Sequence, residues 1–439
     1  MKKAVSIFVT LVVSVAMAIP EIASNSVSLT QGDNADVVKI TYTLTGEPGI
    51  VTIDLQTNAL ADASGAWTSI GGEAMGELRC EANKYVRVLN EPVSAYWFPS
   101  KTFSDTIAAG GLRAVIKAWP TNCPPDYMVV NLTAPTNTIR FYESTVQFPG
   151  GFTNVIYKTE KLVMRKVPAA GVVWRMGAPD GETGKDASAD VVHKVMLTED
   201  YFAGIYEVTQ SQYYNMCGSY HNCIYRNFAD SPIRAFQGLQ YSYLRGQNKD
   251  AKAGYWPENG HAVTEDSVIG KLRAKCGIAD IDLPTEAQWE YACRAGTGTA
   301  LPSGKDLTTD NLKEIGVREY NVVTSAMAVG MKQPNAWGLY DTIGNVWEGC
   351  LDRFISGDSY KSMFTVGWET GAVTTNQTGT TNKDVVQCVF RGGCWSESLN
   401  YCRSGSRVGQ GIEYYSPTVG YKGFRLFCSV HAVADWCAR

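Results

Sequence analysis

The segment Asp341-Thr342-Ile343-Gly344-Asn345-Val346-Trp347-Glu348 carries two carboxylates on either side of a Gly-containing turn. Hard oxygens of this kind, mixed with backbone carbonyls, suit calcium. Turn and capping hydrogen bonds without a metal are the other reading of the same pair. A second segment, Arg391-Gly392-Gly393-Cys394-Trp395-Ser396-Glu397-Ser398-Leu399-Asn400-Tyr401-Cys402, sets two cysteines around an acid. Such cysteines suit a structural disulfide or small buried positions. The 4 histidines, His193, His221, His261 and His431, are scattered, which argues against a multi-histidine metal site. No Gly-rich phosphate loop or Ser-His-Asp pattern adds another chemistry, and Gly392-Gly393 reads as a tight backbone position.

These residues sit in a chain of 439 residues, 45% hydrophobic, with 39 Lys+Arg against 43 Asp+Glu and a net charge of −4. That composition is ordinary for a globular protein of two or three domains, and its charge gives no default attraction to nucleic acid or anionic lipid. Residues 1–18 read as a signal peptide: Lys2 and Lys3, an apolar stretch over 4–15, then Ala16-Met17-Ala18. The mature protein would start near Ile19 and be secreted or periplasmic. No later apolar run is long enough for a transmembrane segment. Export would let the 12 cysteines form disulfides, with the connectivity open.

Residues 24–166 have short β-like runs. Residues 37–44 and 50–55 flank Gly46-Glu47-Pro48-Gly49 and read as a hairpin. Further strands are expected over 112–118, 127–132, 139–146 and 155–158. The spacing suggests an immunoglobulin-like β-sandwich, a spacer or docking module, in which Cys80 and Cys123 could form one bridge. From residue 167 to about 430 the chain is rich in Trp, Gly and Tyr, with few helices. Thr209-Gln210-Ser211-Gln212 and Thr285-Glu286-Ala287-Gln288 fit capping boxes. The second helix should end near Gly296 with Trp289 and Cys293 on one face. Residues 374–382 read as a surface loop.

Over roughly residues 171–429 the sequence resembles the formylglycine-generating enzyme, or sulfatase-modifying factor, family. The markers run in family order: Trp174-Arg175-Met176-Gly177, Tyr206-Glu207-Val208-Thr209-Gln210, and Leu283-Pro284-Thr285-Glu286-Ala287-Gln288-Trp289-Glu290-Tyr291-Ala292. They continue with Asn335-Ala336-Trp337-Gly338-Leu339-Tyr340-Asp341, Gly344-Asn345-Val346-Trp347-Glu348, Arg391-Gly392-Gly393 with Trp395, Cys402-Arg403-Ser404 and Gly423-Phe424-Arg425. The resemblance implies an α+β fold, C-type-lectin-like with little regular secondary structure, stabilised by calcium. It implies one calcium on the Asp341 and Glu348 side chains and the Gly344 and Val346 carbonyls. A second would use Asn311 and Leu312, then Asn321 and Val323, across a shortened loop.

The family's oxidases hold copper(I) between two cysteines five apart and convert a Cys of a sulfatase peptide to formylglycine. Here the second position is Cys402, the first is Glu397, and the motif's Ser is Cys394. Catalysis would therefore rest on Cys402 without its partner, or on a site rebuilt with Cys394. A structural role for both cysteines is the reading preferred. The superfamily's nonheme-iron sulfoxide synthases need a His-rich helical domain that this sequence does not suggest. Members that display ligand-binding surfaces do so between the Gly-Gly-x-Trp element and Gly-Phe-Arg. Ser396, Glu397, Ser398, Asn400, Tyr401, Glu413, Tyr414 and Tyr415 would form such a surface here, with residue types that adaptable binding surfaces favour. The resulting expectation is a calcium-stabilised binder of a protein or glycan, with the copper oxidase as the alternative.

Overall fold

The computed structural model describes residues 19–31, 36–58, 65–99, 111–135, 139–220, 231–246, 256, 260–317, 325–364, 371–382, 384–411 and 421–439. The expected signal peptide, His221, Asn321, Val323, Glu413, Tyr414 and Tyr415 lie outside them. The N-terminal strands alternate buried and half-buried side chains, as a sheet with one covered face requires. One sheet runs Glu21–Ile22, Val38–Thr45, Pro92–Phe98, Glu77–Cys80, with Ser28–Gln31 also on Val38–Thr45. The other holds Thr68–Ser69, Gly49–Thr57 and Lys84–Val86, with Leu112–Trp119 on Gly49–Thr57. Ile40, Tyr42 and Leu44 of the first meet Val51, Ile53 and Leu55 of the second in one core with Trp97.

The expected hairpin is therefore not formed. Val38–Thr45 and Gly49–Thr57 belong to different sheets, and the Gly46–Gly49 turn carries the chain across the core from one to the other. Each strand reaches more burial by facing the other than by pairing edge to edge. Residues 155–158 are not a strand either: Ile156–Thr159 is a helical turn. The Asn154 side chain accepts from the Ile156 amide at 3.1 Å and so starts the turn. Cys80 and Cys123 are both exposed, and no described cysteine is in a disulfide.

A third sheet runs Ile139–Tyr142, Tyr127–Asn131, Lys161–Val167, Tyr201–Gly204, Phe427–Ser429. It crosses the boundary expected at 166–167, joining strands from 127–167 to the C-terminal region. Both of its faces are buried: Met128, Val130, Leu162, Met164 and Phe202 enter one core. Val129, Val163, Tyr201, Ala203 and Phe427 enter another. A sheet apolar on both sides has to be covered on both sides, and the segments on either side of residue 167 do this together. Smaller sheets, Arg407–Gly411, Gln387–Arg391, Trp347–Arg353, Lys422–Gly423 and Val173–Met176, His193–Met196, Val373–Thr375, complete a mostly irregular C-terminal unit. The last of these strands begins the segment expected to be all loop. Among the described residues, no helix is long and apolar enough to cross a membrane.

Both capping boxes form. Thr209 and Gln212 exchange bonds of 3.0 and 3.1 Å before Gln210–Cys217. Thr285 and Gln288 do the same at 2.9 and 3.2 Å before Glu286–Arg294. That second helix ends at Ala295 in a left-handed conformation, and Trp289 and Cys293 share a core. Replacing Thr285 with Ala leaves the Gln288 amide without its acceptor. Thr285→Ala should destabilise the fold by about 1 kcal/mol, read as a lower denaturant midpoint with an unchanged slope.

Candidate functional site

The helix Glu286–Arg294 is almost wholly buried and puts Glu286, Glu290 and Arg294 on one side at successive turns. Arg391, from the strand Gln387–Arg391, pairs with Glu290 and donates to the Gly405 and Ser406 carbonyls at 3.1 and 2.7 Å. Arg407 makes a forked pair with Glu286 at 2.6 and 3.0 Å, and Arg294 bonds Glu290 at 2.7 Å. Burial works against the Glu290 charge, yet Arg294 and Arg391 overcome it and hold its carboxyl below the ordinary carboxylate range. Arg403 joins Glu182, Asp190 and the Asn400 and Gly184 carbonyls at 2.6–2.7 Å. These arginines are tied to the fold.

Against that frame lies the segment that corresponds to the copper-binding stretch of the family's oxidases, read here as lacking the thiolate pair. Gly392 and Gly393 adopt φ of 89° and 78°. A Cβ on Gly393 would sit 2.9 Å from Cys402 Sγ and 3.0 Å from the Tyr401 carbonyl, so the close approach there needs glycine. Cys394 and Cys402 are both 0% exposed, but they pack into different cores. The Cys394 sulfur meets Ser396 Oγ at 3.4 Å, and burial pushes its thiol up to about 12. Cys402 packs with Trp289, Cys293 and Leu301. Glu397 is half-buried in the turn, its amide donating to the Cys394 carbonyl at 3.2 Å. The two sulfurs thus do not face a common open cleft.

The expected first calcium segment is also built around burial. Asp341, at φ 55°, accepts from the Gly330 amide at 2.5 Å through Oδ2. Its Oδ1 is buried and has no hydrogen-bond partner among the described residues. Burial pushes the Asp341 carboxyl up to about 6, with Glu348 adding and the Gly330 amide, Arg425 and Lys158 opposing. Glu348 is committed elsewhere: Arg425 holds both its oxygens at 2.7 and 3.0 Å, and Trp289 Nε1 donates to it at 2.7 Å. Glu207, legible only as part of a motif, lies between them, accepting from Asn345 Nδ2 and from the Val346 amide. An acid inside the apolar run Ile205-Tyr206-Glu207-Val208 was the signal that could have singled it out.

Asn311 and Leu312 are part of the helix Thr309–Ile315. The Asn311 amide donates to the Thr308 cap and its side chain to the Asp306 carbonyl, at 3.1 and 3.0 Å, while the Leu312 carbonyl accepts from Gly316 at 2.8 Å. These bonds use the Asn311 Nδ2 and one lone pair of the Leu312 carbonyl, while the expected partners Asn321 and Val323 lie outside the described residues. Among the described residues, no three His, Cys, Asp or Glu converge as metal ligands. Of the expected display residues, Ser398, Asn400 and Tyr401 are exposed, while Ser396 and Glu397 are half-buried. Tyr401 sets its ring edge-on to Trp347 at 5.9 Å and leaves 41% of its surface open. His193 is enclosed, stacked on Phe364 at 4.0 Å.

Asp352 is a further acid perturbed by burial. Burial, with the Glu286 charge adding, raises its carboxyl from 3.8 to about 8, although the Glu286 amide donates to it at 2.6 Å. A raised native value means the folded state prefers the protonated acid. This contribution is fully present below 3.8 and is lost as pH climbs through about 8. Asp352→Asn should flatten the fall in folding stability across that window, as measured by denaturant midpoints at stepped pH.

The profile of the Sulfatase-modifying factor enzyme 1-like domain matches residues 169–429. The formylglycine-generating enzyme of Bos taurus is 26% identical over 219 residues, 43% of this chain and 58% of that protein. That of Mus musculus is 26% identical over 270 residues, covering 54% of this chain and 68% of its own length. The serine/threonine-protein kinase pkn1 of Chlamydia pneumoniae is 28% identical over 244 residues, 53% of this chain and 33% of that protein. The chain thus spans little more than half of the bovine relative. Among solved structures, Treponema denticola variable protein 1 matches with a TM-score of 0.45 and 23% identity over 61% of this chain and 95% of that one. PvdO from Pseudomonas aeruginosa matches with 0.44 and 20% over 61% and 94%. With the domain match spanning more than half of its length, the chain belongs to the family of Sulfatase-modifying factor enzyme 1-like domains.

Proposed function

We propose that this protein is an exported, non-oxidase member of its family that binds a protein or glycan ligand, with the N-terminal sandwich as an immunoglobulin-like docking module. The observation that carries this reading is Glu397 in place of the first thiolate, joined to a Cys394 thiol pushed up to about 12 in a core separate from that of Cys402. A linear copper(I) centre asks for two thiolates together, and a carboxylate does not substitute. The exposed Ser398, Asn400 and Tyr401, fixed from below by Arg403, supply a polar and aromatic surface of the kind that binds by contact. The match to a protein named as a kinase is in keeping with a domain that does not carry one activity wherever it occurs.

The test is incubation with a Cys-containing sulfatase peptide, copper and oxygen. No aldehyde should form, and the native protein should take up no stoichiometric copper(I). Glu397→Cys, which restores the five-residue pair with Cys402, should gain copper(I) binding. An aldehyde product from the native protein would instead establish the oxidase.

We also propose a structural calcium at Asp341. The unpartnered, buried Oδ1 fits a hard cation, with the Gly344 and Val346 carbonyls in the same turn. Glu348, held by Arg425 and Trp289, does not fit as a side-chain ligand. When bound, the ion would neutralise Asp341 and tie loop backbone that lacks ladder hydrogen bonds. Calcium should raise the unfolding temperature, and Asp341→Asn should abolish that rise; a calcium-independent midpoint in the native protein would remove the ion from the account.

A further inference from the structure

A cavity of 560 Å³ lies where the N-terminal sandwich meets the C-terminal unit. Its lining comes from in and around the strands Lys84–Val86 and Ile139–Tyr142 and the helix Val430–Ala438, and none of it falls in 341–348 or 391–402. Its size is ordinary for a small-ligand site. Two aromatic rings, Tyr85 and Trp436, stand in its wall, both half-buried and packed against the core of Met128 and Val130. Gly277, at φ 79°, makes room for the second ring, since a Cβ there would sit 2.8 Å from Trp436 Cδ1.

The charge of the lining is one-sided. Lys84, Arg87, Arg140 and Arg439 stand against Glu81. Even with the Arg439 α-carboxylate counted, four cations against two anions keep a positive surplus, in a chain whose net charge is −4. Lys84 is taken up by Glu81 at 2.9 Å. Arg87 donates to the Cys437 carbonyl at 3.1 Å and lies over the Tyr85 ring at 5.4 Å. Among the described residues, neither Arg87 nor Arg439 pairs with a carboxylate. Arg391, Arg403, Arg407 and Arg425 differ in this, since buried acids take up each of them.

A guanidinium carries five N–H donors, so one carbonyl bond leaves Arg87 donors for a ligand. Its planar fork matches a carboxylate, sulfate or phosphate, and a concave wall of one sign concentrates such ions. The rings beside these cations favour an anion whose carrier has a flat apolar face. A cation would be repelled by the lining, and a neutral polyol would gain none of the charge-assisted bonds.

We infer that this cavity binds an oxyanion carried on a ring, with the anion on the Arg87 and Arg439 guanidiniums and the ring against Tyr85 and Trp436. An acidic sugar and an aromatic acid share this chemistry. The inference goes beyond the binding role proposed above: it concerns neither the Ser398–Tyr401 surface nor position 397, and its failure would leave that role standing.

The test is calorimetric titration of the full chain with methyl glucuronide, with 4-hydroxyphenylacetate, with their neutral counterparts methyl glucoside and tyrosol, and with sodium sulfate and heparin. Saturable binding of the glucuronide points to an acidic sugar and binding of the phenylacetate to an aromatic acid; either supports the site. The neutral counterparts should bind about tenfold more weakly or not at all. Arg87→Gln should weaken binding of the acid by about tenfold or more, the size expected for a charge-assisted hydrogen bond. Arg439→Gln, at an exposed position that does not test folding, should weaken it by a smaller factor. Absence of binding by both ring acids, with or without binding of sulfate or heparin, would overturn the inference. So would equal binding of a neutral counterpart, or unchanged affinity in both variants.

Discussion

The C-terminal unit depends on pairing arginine with carboxylate where neither meets water. Arg391, Arg403, Arg407 and Arg425 are nearly without exposure, and each joins at least one acid to one or more backbone carbonyls. Irregular backbone leaves carbonyls that no ladder satisfies, and a guanidinium with five fixed donors can satisfy several at once. Such a pair adds little net stability over an apolar packing of the same shape. Removing one partner, however, leaves a buried charge at a cost of about 3–5 kcal/mol. The pairs therefore specify register: Glu290 with Arg391 fixes the helix Glu286–Arg294 against the strand Gln387–Arg391, and Arg403 fixes the turn over Asn400.

Such a framework does not depend on the residue type at position 397. Most of the family markers in this chain are fold residues: Thr285 caps, Glu290 and Arg391 pair, Gly393 admits Cys402 Sγ, and Glu348 and Arg425 pair. None of these bonds requires a thiolate at position 397. The framework on either side can persist with a carboxylate there, because Glu397 is half-buried in a turn and its backbone amide still reaches the Cys394 carbonyl. Family membership and copper chemistry are separable on physical grounds.

What could be read from the sequence was what local bonds decide. Two capping boxes, the left-handed pair Gly392-Gly393 and the strand at Leu112–Trp119 depend on neighbours within a few residues. Partner choice was not legible. Val38–Thr45 and Gly49–Thr57 look like a hairpin locally and become opposite walls of a core because both carry apolar faces. The sheet that unites Tyr127–Asn131 with Phe427–Ser429 joins strands far apart in sequence, and no local pattern announces it. At the candidate site, Glu397 at the position where the family resemblance implies a thiolate could be read without any structure. The burial of Cys394 in a core different from that of Cys402, the helix holding Asn311 and Leu312, and the Arg425 hold on Glu348 all required tertiary contacts.

The Asp341 neighbourhood shows how far charge counting alone can go. Glu207, Asp341 and Glu348 are three buried acids, influenced by Arg425 and, at Asp341, by Lys158. Arg425 is satisfied by Glu348, and burial lowers the tendency of Lys158 to carry its charge. Glu207 and Asp341 are therefore left poorly compensated, and burial raises Glu207 well above the ordinary range and Asp341 to about 6. Such a site has two ways to relax: it can take a proton, or it can take a cation from solution. The first weakens as pH rises and the second strengthens, since metal binding needs the ionised carboxylate. A structural ion at Asp341 would thus convert a group that disfavours the fold at neutral pH into one that supports it, without any change in the Arg–carboxylate framework around it.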